Sequence, residues 1–199
     1  MKGDTGSCGA GCWENPCEIK IMKLSAVVSA ALFGLGSILS ASASESTESL
    51  FESTFLWHFD DASGKVVSLA KAIPEDKYDW RPAGGIRSVR EVVLHTAAAN
   101  YFLGSMLGAT IPKGVNAGEL EKSMLDKQAS VAALEKSIAF ARAAVVGVAE
   151  EDLGTKINLF GQEAPKMSAV FVVGAHANEH LGQLIAYARS NGVAPSWSK

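Results

Sequence analysis

Residues 119–149 read ELEKSMLDKQASVAALEKSIAFARAAVVGVA. Within them Met124, Val131, Ile138 and Val145 lie seven residues apart, and Leu134, Ala141 and Val148 form a second row offset by three. Two apolar rows with that offset fall on one side of an α-helix and make the seam of a helical bundle, whose helices cross at roughly +20°. The spacing predicts a helix over 119–149. It is too short for a long free coiled coil, so the seam has to be buried against neighbours from the same chain.

Those neighbours are legible on either side. Phe51, Phe55, His58, Ala62, Val66, Leu69 and Ile73 recur every three or four residues, predicting a first helix over about 50–72 that Pro74 ends. Ser88-Val89-Arg90-Glu91 matches a capping box and opens a second helix, with Val92, His95, Ala99, Phe102, Leu103 and Met106 as its inner face. Gly108 and Pro112 close it. The segment 154–165 has little periodicity and reads as loop. A last helix over about 166–191 carries Val172, Val173, His176, His180, Leu184 and Tyr187 on one face, and Asn191-Gly192 followed by Pro195 stops it. No sustained strand alternation is present. The expected fold class is all-α, a four-helix bundle over residues 50–195.

The front of the chain has another character. Met22-Lys23 precedes an uncharged run from Leu24 to Leu39, and Ala41-Ser42-Ala43 has the small residues that signal peptidase requires. The run falls short of the roughly 20 strongly apolar residues of a spanning helix. Residues 22–43 therefore read as a signal peptide cleaved after Ala43, with export to the periplasm or the extracellular space and no membrane span in the mature chain. Residues 1–21 precede that start and read as an extraneous extension. Residues 44–49 form a short polar leader. All three cysteines, Cys8, Cys12 and Cys17, fall in the extension, so the mature chain has neither a disulfide nor a thiolate.

The net charge is −3 over 199 residues, with 48% apolar and 20% charged. This is the composition of a chain with a core, and it lacks the basic footprint of a nucleic-acid binder. The expected partner is a small molecule, with a homodimer as the candidate assembly.

The chemistry is concentrated in four histidines. His176 and His180 are one helical turn apart on an apolar stripe, which is how a helix offers two imidazoles to one metal ion. Burying two imidazoles is costly unless both find partners. His95 interrupts the inner stripe of the second helix, and if that helix faces the last one, three imidazoles converge with a fourth position open. Zn²⁺ suits imidazole best, and Ni²⁺ or Fe²⁺ fit the same donors. His58 has three readings: a fourth ligand, a base beside the metal, or a core histidine bonded to a carbonyl. The pentapeptide from His176 to His180 is H-x-x-E-H, similar to the inverted zincins. Those peptidases take a downstream glutamate as third ligand, and no acidic residue follows His180. Glu179 remains as an orienting group or base. Arg81 and Trp80, in the loop before the second helix, could bind substrate, with the arginine gripping an anion; alternatively Trp80 plugs the bundle end and Arg81 is solvated or caps a helix.

The segment from Val92 to His95, the segment His176-Ala177-Asn178-Glu179-His180-Leu181-Gly182-Gln183-Leu184, and the loop from Trp80 to Ser88 together resemble the DinB/YfiT-like superfamily. The resemblance spans roughly 50–195. It implies an up-down-down-up four-helix bundle with three histidines on a divalent metal, here His95, His176 and His180. For activity it implies transfer or isomerisation that uses a low-molecular-weight thiol; the residues themselves suggest metal-dependent hydrolysis or group transfer on a small molecule, with His58 or Glu179 moving the proton. The alternative is a non-catalytic metal- or ligand-binding bundle.

Overall fold

The computed structural model describes residues 49–198. The segments read as an extension at 1–21 and a signal peptide at 22–43, and all but the last residue of the expected leader, lie outside the described residues.

Ser49 caps helix α1 (Leu50–Ala72), its hydroxyl accepting from the Glu52 amide at 3.1 Å. The predicted capping box is present at the start of α2 (Val89–Met106): the Glu91 amide donates to Ser88 Oγ, and the Ser88 amide donates to the Glu91 carboxylate at 2.6 Å. The predicted third helix is in fact two. A single turn, α3 (Ala117–Leu120), is followed by a break, and α4 (Lys127–Val146) starts afresh. Asp126 explains the restart, because its carboxylate accepts from the Ala129 amide at 2.7 Å and caps α4. Met124 therefore drops out of the seam and is 80% exposed, while Leu134 and Ala141 are fully buried.

The all-α expectation needs one correction. Strands β1 (Lys156–Leu159) and β2 (Gln162–Pro165) form an antiparallel hairpin in the segment read as loop. Its two-residue turn is Phe160-Gly161, both with positive φ (53° and 86°), as a type I′ turn requires. The Gly161 amide donates to Asn158 Oδ1 at 2.7 Å. Each strand has only four residues, too few for alternation to stand out from loop. A phenylalanine in the left-handed region costs roughly 1–2 kcal/mol. The last helix, α5 (Lys166–Ser190), follows directly and ends at Gly192 with φ 74°.

The four long helices make a ring in which α1 packs on α5 and α4, and α2 packs on α4 and α5. Residue pairs give the directions. Asn100 bonds Ser137 and Tyr101 stacks near Phe140, while Arg90 near the start of α2 reaches the Leu125 carbonyl, so α2 and α4 run parallel. Phe51 meets Phe171 and Phe55 lies against Gly174, so α1 and α5 are parallel as well. Asp60 pairs with Arg142 and Lys71 with Glu135, so α1 and α4 are antiparallel. The course is up-down-down-up. α2 and α4 approach closely at Gly104, where a Cβ would stand 2.6 Å from the Phe140 ring.

The core has two parts along the ring axis. One gathers Phe55, Phe59, Leu103, Val145, Val170 and Val173; the other Leu69, Ile73, Tyr78, Val92, Leu134 and Leu184. Each such side chain contributes on the order of 1.5–3 kcal/mol through burial. Among the described residues no helix is long and apolar enough to cross a membrane.

Candidate metal centre

Because α2 is flanked by both α4 and α5, its burial wraps widely, and the predicted inner stripe is only partly inside. Val92 and Leu103 are buried, but His95 and Ala99 are half-buried and Phe102 is 49% exposed. The strip from His95 to Phe102 runs along the edge where the seam between α2 and α5 opens. His176 and His180 come to the same edge from the middle of α5, with His180 buried and His176 half-buried.

The three imidazoles meet there. His176 Nε2 lies 3.2 Å from His95 Nε2 and 3.0 Å from His180 Nε2, and the three donor atoms lie within 4.8 Å of one another. A tetrahedral ion at about 2.0–2.1 Å from each nitrogen would space its ligands roughly 3.3 Å apart. The outer nitrogens set the tautomers. His95 Nδ1–H donates to Glu121 Oε2 at 2.7 Å, and His180 Nδ1–H donates to Gln183 Oε1 at 2.8 Å. Each of those rings therefore presents a bare Nε2 lone pair to the centre. His176 Nε2 could carry a proton to one of them but not to both. Three inward nitrogens with at most one proton among them fit a shared cation, so the residues present suit the metal that this arrangement implies.

The supporting groups close on one another. Arg87 Nε donates to Glu121 Oε1 at 2.7 Å, Gln183 Nε2 donates to the Tyr187 hydroxyl at 3.0 Å, and that hydroxyl donates to the Arg87 carbonyl at 2.9 Å. Burial of Glu121 works against its charge, but the hydrogen bonds from Arg87 and His95 outweigh it and hold the carboxyl low. Gln183 was legible as the i+3 neighbour of His180. Glu121 was not: it reaches His95 from the far end of a loop, and no spacing rule connects the two.

Burial, followed by the proximity of His180 and His95, pushes the His176 imidazole down to about 4. His180 is lowered as well, again chiefly by burial. In the metal-free chain the unfolded state, with imidazoles near 6.5, takes up protons first as pH falls, so stability declines between pH 6.5 and about 4. Full expression of the His176 shift would amount to about 3 kcal/mol, and water at the half-buried ring reduces this to roughly 1–2 kcal/mol. Thermal melts between pH 7 and 5, above the carboxylate range, are expected to show the decline, and His176→Ala to flatten it. A flat wild-type profile would count against neutral buried imidazoles.

The other candidates lie elsewhere. His58 is exposed, not on the buried stripe of α1, which runs through Phe55, Phe59, Ala62 and Val66. It stacks edge-on against Trp57 and borders a groove with Asn178, on the side of α5 turned away from His176. Glu179 is exposed beside His180. Arg81 donates to the Ile86 carbonyl at 3.0 Å and to Glu91 at 3.3 Å, tying the loop to the capping box. Trp80 packs edge-on against Tyr187. Neither Arg81 nor Trp80 lines the cavity of about 950 Å³ that opens beside His95 and His176; its wall comes from α2, α5, the α2–α4 connection and Phe160.

The fold has solved counterparts. A DinB-like protein from Bacillus cereus ATCC 10987 is 17% identical with a TM-score of 0.62, over 72% of this chain and 94% of that one. A DinB-like protein from Bacillus subtilis is 22% identical with a TM-score of 0.56, over 70% and 92%. A conserved protein from Enterococcus faecalis is 18% identical with a TM-score of 0.56, over 70% and 95%. No match to a curated protein is found. At these identities the likeness establishes the fold. The DinB superfamily model matches residues 58–184, a span that contains His95, His176 and His180, and the chain belongs to that superfamily.

Proposed function

We propose that the protein is exported, is cleaved after Ala43, and holds one divalent cation between His95, His176 and His180 to carry out hydrolysis or group transfer on a small molecule. The observation that carries the reading is the convergence of three Nε2 atoms whose outer nitrogens are fixed by Glu121 and Gln183. Zinc is the first choice for an all-imidazole donor set, ahead of nickel and iron. Such an ion supplies Lewis acidity to a substrate group that reaches its open side.

The chain's own groups orient the imidazoles and keep one wall of the site apolar. Glu179, exposed and adjacent to His180, is the proton-transfer candidate on the metal side of α5. His58 is separated from that side by the body of the helix. Elemental analysis of the purified protein tests the reading: one equivalent of a divalent metal per chain supports it, and a metal-free protein that takes up none on zinc addition overturns it.

A second reading, a non-catalytic metal- or ligand-binding bundle, is favoured by one feature. The cavity wall has no aspartate or glutamate, so Glu179 stands outside the cavity it would have to serve. Turnover in a panel of ester, amide and thiol-transfer substrates separates the two readings.

Export is tested by N-terminal sequencing of protein recovered from the native host. The expected first residue is Ser44. A mature chain that begins at Met1 or Met22 would sink the signal-peptide reading.

A further inference from the structure

The cavity beside the imidazoles has two chemistries. At one end stand His95 and His176. The wall between α2, α5 and the hairpin is apolar, with Ala99, Phe102, Val172 and Phe160 as its main surfaces, and Lys113 and Asn116 bring N–H donors from the α2–α4 connection. At about 950 Å³ the space suits a small organic ligand.

The aromatic pair is the telling feature. Phe102 on α2 and Phe160 at the hairpin tip stack with centroids 6.2 Å apart, yet they remain 49% and 62% exposed. Phe160 also sits at φ 53°, where asparagine or glycine would be unstrained. A type I′ turn gains nothing from phenylalanine at this position. The ring is an exposed apolar surface held at the cavity's edge against local preference, which is a pattern of ligand sites.

Charge identifies the other end of the ligand. Three neutral imidazoles cancel none of a divalent ion's charge, no acidic residue lines the cavity, and Lys113 adds a further positive charge. Lysine and asparagine N–H groups favour an oxygen anion over a thiolate, whose sulfur accepts hydrogen bonds weakly.

We propose that the site takes an apolar carboxylate, with its alkyl or aryl body against Phe102 and Phe160 and its carboxylate at the imidazole end. The inference rests on the metal reading above.

The test is calorimetric titration of the zinc-loaded protein with octanoate, acetate and 1-octanol. Octanoate is expected to bind at least about tenfold more tightly than either, since it alone combines head and body. Phe160→Asn creates the favoured Asn-Gly turn, so its melting temperature is expected to equal or exceed the wild type while octanoate binding weakens about fivefold or more. Phe102→Ser gives the same reading from α2. Both variants are expected to keep full zinc content. Octanoate no tighter than acetate, or wild-type octanoate affinity in both variants, overturns the inference while zinc uptake leaves the metal site standing. Failure of the wild type to take up zinc overturns the metal reading, and this inference with it.

Discussion

Replacing His176 and His180 together by alanine is expected to remove stoichiometric metal from the protein while leaving the helical fold in place. Only His95 would then face the centre, and a single imidazole does not hold a divalent ion against water. The fold survives because His176 lies at an opening edge and the core layers on either side of the buried His180, around Phe59 and Leu134, keep their own contacts. Metal binds the folded form alone, so its loss also removes stability by mass action. At metal about a hundredfold above the dissociation constant the term is about 2.7 kcal/mol, or roughly 5–10 °C in melting temperature for a domain of this size. Chelation of the wild type is expected to reproduce the shift, and chelation of the double variant to produce none. His58→Ala, in a different groove, is expected to keep full metal content. Wild-type metal content in the double variant would refute the centre.

The second large effect is expected at Glu121. Its carboxylate fixes the His95 tautomer, and Arg87 fixes the carboxylate. Without it, His95 Nδ1 loses its acceptor and the ring is free to turn or to swap its proton to Nε2, the nitrogen needed at the centre. Loss of such an outer partner typically costs about 10–100-fold in metal affinity. Glu121→Ala is therefore expected to weaken zinc binding within that range, measured by competition with a chromophoric chelator. The melting temperature of the metal-free form is expected to change little, because a partly exposed ion pair contributes about 0–1 kcal/mol. Unchanged zinc affinity in Glu121→Ala would show that His95 is oriented by packing instead.

Much of this molecule is local and was readable from spacing. Ser88 and Glu91 marked the start of α2, Asn191-Gly192 the end of α5, and the seam residues Leu134 and Ala141 are buried as their period requires. The pair His176 and His180 needed nothing but helical geometry, and together with His95 it carried the family resemblance that the DinB superfamily match bears out. Local signals failed where two local rules competed. Met124 keeps the seven-residue period, but Asp126 is a better helix start than a helix interior, and the cap decided.

The rest depended on which helices face each other. Periodicity places His58 and His95 alike on inner stripes, since it records a face and not a neighbour. Packing turns His58 to a separate groove and brings His95 to within 3.2 Å of His176. Glu121 reaches His95, and Phe160 reaches Phe102, across loop and hairpin geometry that no repeat in the chain encodes. By itself the sequence determined the four long helices, the start of α2, the end of α5 and the two imidazoles on one turn. The third imidazole, its carboxylate and the aromatic edge of the cavity were decided by tertiary structure, because each joins residues far apart in the chain whose approach follows only from the packing of whole elements.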